Sequence, residues 1–255
     1  MSSLSKMLSL LDFFGPASLH VSAETMMART GMSKATVYRY VKDLCDAGLL
    51  TRVESGSFGL GPRVIELDWM MRQYDPILIA GRELMHALSE ETRLAVHSSV
   101  FYDDRIINTY IVEPSEAFAS DFGRGQPLPL FRGAQSKVLV AHQKGRRLER
   151  LFREKIACDP DNPNSALDWP EFSRVVRKIR KDGYCMTVGE LTSGLTGVAA
   201  PILSSGGKEA AASLCVVGTD ERFSLLSSDS LIARVIETAQ RIASNLEAQS
   251  ASKAE

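Results

Sequence analysis

The sequence predicts an α+β chain of two unequal parts. A small helical module closed by a short hairpin comes first, and a larger strand-rich sheet flanked by helices follows. Three observations predict this. Apolar residues recur at helical spacing, with capping residues and glycine stops, up to Gly48. Alternating runs broken by turn residues recur between residues 93 and 218. The 255 residues, 44% hydrophobic and 24% charged, are enough for one large core or two smaller ones.

Taken in order, "LSKMLSLLDFFGP" places Leu4, Met7, Leu8, Leu11 and Phe14 on one helical side and closes on Gly15 and Pro16, which predicts a first helix. "HVSAETMMARTG" follows, with Ser22 as N-cap and Gly31 as stop. "SKATVYRYVKDLCDAG" opens on Ser33 after a two-residue turn and stops at Gly48. Two short helices joined by a tight glycine-containing turn make a helix-turn-helix. The runs of "LLTRVESGSFGLG" around Ser55, Gly56 and Ser57 read as a small hairpin, and a hairpin in that place is a wing.

The larger part begins with a helix over residues 75–92. "RLAVHSSVFYDDRIINTYIVEP" reads as a hairpin around Asp103 and Asp104. "FRGAQSKVLVAHQKG" and "EFSRVVRKIRKDG" read as helices, the second closed by Gly183. "TGVAAPILSSGGKEAAASLCVVG" reads as two strands around Gly206 and Gly207, and "DSLIARVIETAQRIASNLEAQ" is an amphipathic helix. The expected division is 1–61 for the winged module, 62–74 for a linking helix, 75–248 for the larger domain and 249–255 for a disordered tail.

Composition narrows the function classes. No apolar run approaches the ~20 residues of a membrane span, and the amino terminus lacks a basic region leading into a long apolar core, so the chain is expected in the cytoplasm. Cys45, Cys158, Cys185 and Cys215 lie far apart, as do His20, His86, His97 and His142, so no metal site and no cofactor is expected. The net charge of −1 conceals a local asymmetry: between Thr25 and Val53, Arg29, Lys34, Arg39, Lys42 and Arg52 face only Asp43 and Asp46, a local excess of +3.

That excess is concentrated around the third helix. Val37, Val41 and Leu44 share one side of it, and Ala35, Tyr38, Arg39 and Lys42 share the other. A winged helix-turn-helix docks its second helix in the major groove, so the polar side is expected to meet a double-stranded DNA operator. Ala35, Tyr38 and Arg39 are the candidate base readers; Ser33, Lys34, Thr36 and Lys42 are better placed for phosphates, with Arg52 and Ser57 added from the wing.

These first 60 or so residues, with the later stretches "PLPLFRGAQSKVLVA" and "KDGYCMTVGELTSGLTGVAAPILSSGGKEAAASLCVVG", resemble the IclR family of bacterial transcriptional regulators. The resemblance implies a winged helix-turn-helix, a linker helix and a GAF-like effector-binding domain, working as a homodimer or a dimer of dimers. "GPRVIELDWMMRQY", residues 61–74, matches the linker, and its Val64, Leu67 and Met71 form an apolar stripe that suits another subunit.

The resemblance also implies an effector pocket. Its first part is Arg132, Gly133, Ala134, Gln135 and Ser136 at a helix start; its second includes Thr187 and Glu190; its third is Gly197, Cys215 and Val217. Backbone N–H groups at a helix start favour an anion, so a carboxylate is expected. Departures from the family pattern are Phe131 and Arg132 after "PL", Thr187 where an acid is common, and Cys215 and Val217 where hydroxyls are common. They make one wall less polar, which suits an aromatic or larger organic acid controlling a catabolic operon, with Arg132 pairing its carboxylate. In the alternative, Arg132 is a solvated surface residue and Cys215 packs the core. An enzyme in the larger domain is the competing function. The chain lacks GxSxG, GxxxxGK[ST] and GxGxxG, and the acids Glu113, Glu116 and Asp121 cluster only loosely.

Overall fold

The structure, a computed structural model, describes residues 2–114, 122–204 and 209–252. The chain divides into two compact units, Met1–Asp75 and Pro76–Glu255.

The first unit contains α1 (Ser3–Leu8), β1 (Val21–Ser22), α2 (Ala23–Thr30), α3 (Lys34–Asp46), β2 (Leu50–Arg52), β3 (Ser57–Leu60) and α4 (Arg63–Tyr74). Ser22 and Ser33 cap α2 and α3 by accepting from the backbone N–H three residues on, and Gly31 closes α2 in the left-handed region at φ 68°. Each such cap stabilises by about 1 kcal/mol. Val37, Tyr40, Val41 and Leu44 of α3 pack on Leu10, Met26, Leu50 and Phe58. The hairpin β2–β3 gains a strand the sequence pattern did not reveal, because β1 pairs through only Val21 and Ser22, giving the order β1-β3-β2. The first helix also departs from expectation. It tightens to a 3-10 turn over Ser9–Phe13, which shifts the side-chain phase, so Leu10 is fully buried while Leu4 and Leu8 are exposed.

The second unit contains α5 (Pro76–Thr92), β4 (Ala95–Tyr102), β5 (Arg105–Val112), β6 (Pro127–Leu128), α6 (Ala134–Ala141), α7 (Gly145–Leu151), α8 (Trp169–Asp182), β7 (Cys185–Val188), β8 (Leu195–Leu203), β9 (Ala210–Thr219), α9 (Asp220–Ser224) and α10 (Ser228–Ser252). The strands form one antiparallel sheet in the order β6-β5-β4-β9-β8-β7. Asp103 and Asp104 make the two-residue turn between β4 and β5 at φ 44° and 55°, as the primed hairpin turns require. The Asp104 carboxylate accepts from Arg147 and Arg150.

Alternation along the strands divides the core. Val96, Val198, Ala200, Ile202, Leu214 and Val216 face α5 and α10, where Met85, Leu88, Val235 and Ile242 cover them. Gly81 permits that approach, since a Cβ there would stand 2.9 Å from Ile242. Ile106, Ala199 and Cys215 face the other way, under Phe131, Val138 and Leu139 around α6 and Phe172 and Val176 of α8. Helix α10 runs through Ser252, so residues 249–252 are helical rather than the start of a disordered tail. Residues 253–255, Gly206, Gly207, Glu116 and Asp121 lie outside the described residues.

Candidate functional site

Helix α3 presents its water-facing side as the spacing requires. Ala35, Tyr38, Arg39 and Lys42 are exposed, opposite the buried Val37, Val41 and Leu44. Ser33 and Thr36 are hydrogen-bonded to each other at 2.9 Å, and Ser33 accepts from the Thr36 N–H, so both hydroxyls shape the helix start. The Lys34 ammonium lies 5.8 Å from the Tyr38 ring centroid and the Arg39 guanidinium 5.3 Å from that of Tyr40. Tyr40, left off the buried face by the sequence analysis, is buried and bonds Ser3 through its hydroxyl at 2.7 Å.

Arg39 also edges a hollow formed with Lys6, Ser9, Thr30, Met32 and Thr36. Two cations edge it, while the hydroxyls of Ser9 and Thr30 donate to the Lys6 and Met26 carbonyls. On the wing, Arg52 is exposed at the end of β2. Ser57 differs from expectation: it is half-buried within β3 and paired with Ser22, and the residues at the tip are Glu54–Gly56. Tyr38 and Arg39, not the wing, carry the chemistry suited to base edges.

The second site is a cavity between the start of α6, the sheet and the segment between β7 and β8. It encloses about 470 Å³ of atom-free space including its mouth. Gly133, Ala134 and Gln135 line it from the helix start, Thr187 from β7, Gly197 from β8, and Cys215 and Val217 from β9. His97 of β4, Phe122, Leu191, Thr192, Leu195 and Thr196 complete it. No charged side chain is among them.

Gly133 begins α6 at φ 82° and ψ 156°, a conformation other residues avoid, and a Cβ there would press within 3.2 Å of Leu191. No side chain caps this helix. By position, the N–H groups of Ala134, Gln135 and Ser136 have no partner within the helix, and they gather at the cavity end of its dipole.

Three of the expected pocket residues do not line the cavity. Arg132 turns away from the cavity: its Nε donates to the Glu190 carbonyl at 2.9 Å, and its terminal nitrogens donate to the carbonyls of Asp161 and Leu191 at 3.4 Å. The reason is local. Phe131 adopts φ 56° with its ring fully buried against Phe172, 4.6 Å between centroids, and this reverses the chain just before Gly133. Arg132 therefore lines an open surface hollow with Asp161, Asn162 and Glu190.

Ser136 is buried but bonds the preceding loop, accepting from the Phe131 N–H at 2.8 Å and donating to the Pro129 carbonyl at 2.7 Å. Glu190 is likewise outside the cavity, paired with Lys137 at 2.7 Å and accepting from Asn164 at 2.9 Å.

The titratable groups of the cavity are neutral. Burial depresses His97 from 6.5 to about 4, and its Nε2 has no hydrogen-bond partner. Burial likewise pushes the Cys215 thiol well above its ordinary range, which keeps it protonated. His97 was not singled out from the sequence because one histidine in an apolar strand has no distinguishing spacing. Its period-two position facing α6 was the only available signal.

Comparison with known proteins matches both units. Residues 73–244 match the family described as bacterial transcriptional regulator IclR C-terminal, and residues 3–54 match the IclR helix-turn-helix domain. The p-hydroxybenzoate hydroxylase transcriptional activator of Acinetobacter baylyi is 25% identical over 222 residues, 85% of this chain and 81% of that protein. The Pca regulon regulatory protein of Pseudomonas putida is 24% identical over 217 residues, 83% of this chain and 72% of that one. Among solved structures, an IclR homologue from Microbacterium hydrocarbonoxydans complexed with 4-hydroxybenzoate superposes with a TM-score of 0.77 at 20% identity, covering 97% of this chain and 100% of that chain. An IclR family transcriptional regulator from Brucella abortus superposes at 0.78 with 21% identity, covering 96% and 92%.

Proposed function

This chain belongs to the IclR family of bacterial transcriptional regulators, and from that premise we propose that an aromatic carboxylate bound at the start of α6 switches its grip on DNA. The observation that carries the proposal is the cavity's division of labour. An uncapped helix start supplies N–H donors for an anion, while Phe122, Leu191, Leu195 and Val217 supply an apolar wall for a ring. Among the described lining residues there is no cation, so the carboxylate would be held by charged hydrogen bonds, each worth roughly 1.5 to 3 kcal/mol net.

The named ligand of the Microbacterium homologue and the named target of the Acinetobacter activator support an aromatic acid and a catabolic operon. As repressor or activator, the chain would read its operator with Ala35, Tyr38 and Arg39 and hold phosphates with Ser33, Lys34, Thr36, Lys42 and Arg52. A DNA partner supports a cytoplasmic location. Among the described residues, no helix is long and apolar enough to cross a membrane.

The same chemistry argues for binding rather than turnover. Cys215 is held as a thiol and bonds only its neighbour's carbonyl, so it is not activated as a nucleophile. The linker α4 supports a homodimer or a dimer of dimers. It buries no residue and exposes Leu67 and Met71 together with Ile65, Trp69 and Tyr74, a hydrophobic surface that a second copy would cover. Sedimentation at micromolar concentration tests that part, and a monomer rejects it.

For the ligand, benzoate-type acids and the matching amides are titrated calorimetrically into the protein, and operator binding is followed in parallel. The acids are expected to bind at least tenfold tighter than the amides, by about 1.4 kcal/mol, and to change operator affinity. Equal binding of acid and amide rejects the anion seat.

A further inference from the structure

Beneath the start of α6 lies a polar cluster inside an otherwise apolar layer, and its hydrogen bonds settle the orientation of each amide. Asn108 of β5 donates from Nδ2 to the Phe122 backbone carbonyl at 2.9 Å, and a carbonyl only accepts. The Asn108 Oδ1 must therefore face the other way, where it accepts from the Ser99 hydroxyl at 2.7 Å and from Gln135 Nε2 at 2.9 Å. Gln135 is thus compelled to turn its own Oε1 elsewhere. That oxygen is buried without a partner, and so is His97 Nε2. Both residues line the cavity, at 4% and 3% exposure.

An orphaned buried acceptor costs roughly 1 to 3 kcal/mol, more than the fold gains from a single hydrogen bond. Among the described residues, Gln135 Oε1 has no donor to repay it. A carboxylate supplies none either, because an ionised carboxylate only accepts.

We propose that the effector carries, besides its carboxylate, a hydroxyl group that donates to Gln135 Oε1 beside His97 Nε2, so that Gln135 and His97 select hydroxylated aromatic acids over unsubstituted ones. This rests on the cavity's being the effector site. A hydroxyl suits either atom, since it donates to an amide oxygen and its lone pairs accept from an imidazole N–H. Selection then comes chiefly from the penalty on the wrong ligand: an acid lacking the hydroxyl enters the site but leaves both atoms unpaired.

The test compares benzoate with its three monohydroxy isomers and their methoxy ethers by calorimetric titration into the full-length protein. At least one hydroxybenzoate is expected to bind about tenfold or more tighter than benzoate. The matching ether accepts but does not donate, and it is expected to lose that gain. Gln135→Met keeps the chain length and removes the acceptor, and it is expected to bring the ratio of hydroxybenzoate to benzoate affinity to within about twofold of one.

The parent protein alone decides the first two comparisons, so poor folding of the variant leaves the proposal exposed to refutation. If benzoate binds and no hydroxy isomer binds tighter, or if an ether keeps the gain, the hydroxyl assignment is overturned and the carboxylate site stands. If none of the acids binds, both fall together.

Discussion

Helices α3 and α6 both point their first turn at a candidate partner, but they start differently. Helix α3 begins on Ser33, whose hydroxyl takes up an N–H of the helix, and its outer side stands in solvent. Helix α6 begins on Gly133 with no side-chain cap, at a cavity whose described lining residues carry no charge. In the first, side-chain cations supply the attraction, as a polyanion approached from water needs. In the second, the backbone would supply it, as a single small anion in an enclosed site allows. On the proposed function, one chain would recognise two anions by opposite means, one through charge and the other through backbone donors at a helix start.

The largest expected effect breaks the enclosed site. Gly197→Val adds methyl groups at a position whose Cβ would stand 3.6 Å from the Cys215 sulfur and 3.7 Å from the Ala134 Cβ. Acid binding is expected to fall about a hundredfold or more, roughly 3 kcal/mol, with unliganded operator affinity unchanged. Calorimetry beside a mobility-shift assay reads both quantities, and retained acid binding would place the ligand elsewhere.

The next effect concerns pH. His97 is depressed to about 4 in the folded protein and titrates near 6.5 when unfolded, so between those values the unfolded chain binds the extra proton. The stability is fully present above pH 6.5 and declines as pH falls toward 4, by up to about 3 kcal/mol from this group. Urea denaturation of the parent and His97→Gln across that window is expected to show a shallower slope for the variant. Parallel slopes would mean that His97 is not held neutral.

On the exposed side, Arg39→Ala is expected to cost about 1 to 3 kcal/mol of specific operator affinity if Arg39 reads a guanine. Operator binding at fixed salt measures it, and unchanged affinity removes Arg39 from the base readers.

The smallest effect sharpens the contrast. Arg132→Ala is expected to shift acid affinity by less than about threefold, because the guanidinium spends its donors on backbone carbonyls outside the cavity. A larger loss in calorimetry would mean that charge enters the second site after all.

How far the sequence foretold these sites follows from what each depends on. Helix α3, with its cap and its two sides, was legible because a 3.6-residue period and a serine act locally. The Asp103–Asp104 turn was legible for the same reason. Arg132 was misplaced because its direction hangs on one backbone reversal at Phe131, which is stabilised by a ring contact with Phe172, 41 residues away in sequence. The phase error in α1 arose from a 3-10 turn that no residue announces. Gln135 was named for its place at a helix start, yet the oxygen left over on it emerges only from Asn108, Ser99 and Phe122, which three separate segments bring together.

The order of the large sheet has a consequence for how the domain assembles. Strands β4 to β6 and β7 to β9 each pair with near neighbours in sequence, and the two halves meet only where β4 pairs with β9. That seam joins residues more than a hundred positions apart, so its loop-closure entropy is the heaviest in the sheet and its formation is expected to be late. His97 and Cys215 are register partners across it, and both line the cavity. A molecule in the cavity therefore touches both halves at the place that closes last and opens first. Occupancy is expected to lengthen the lifetime of the folded domain against proteases, so the abundance of the regulator would itself follow the supply of its ligand.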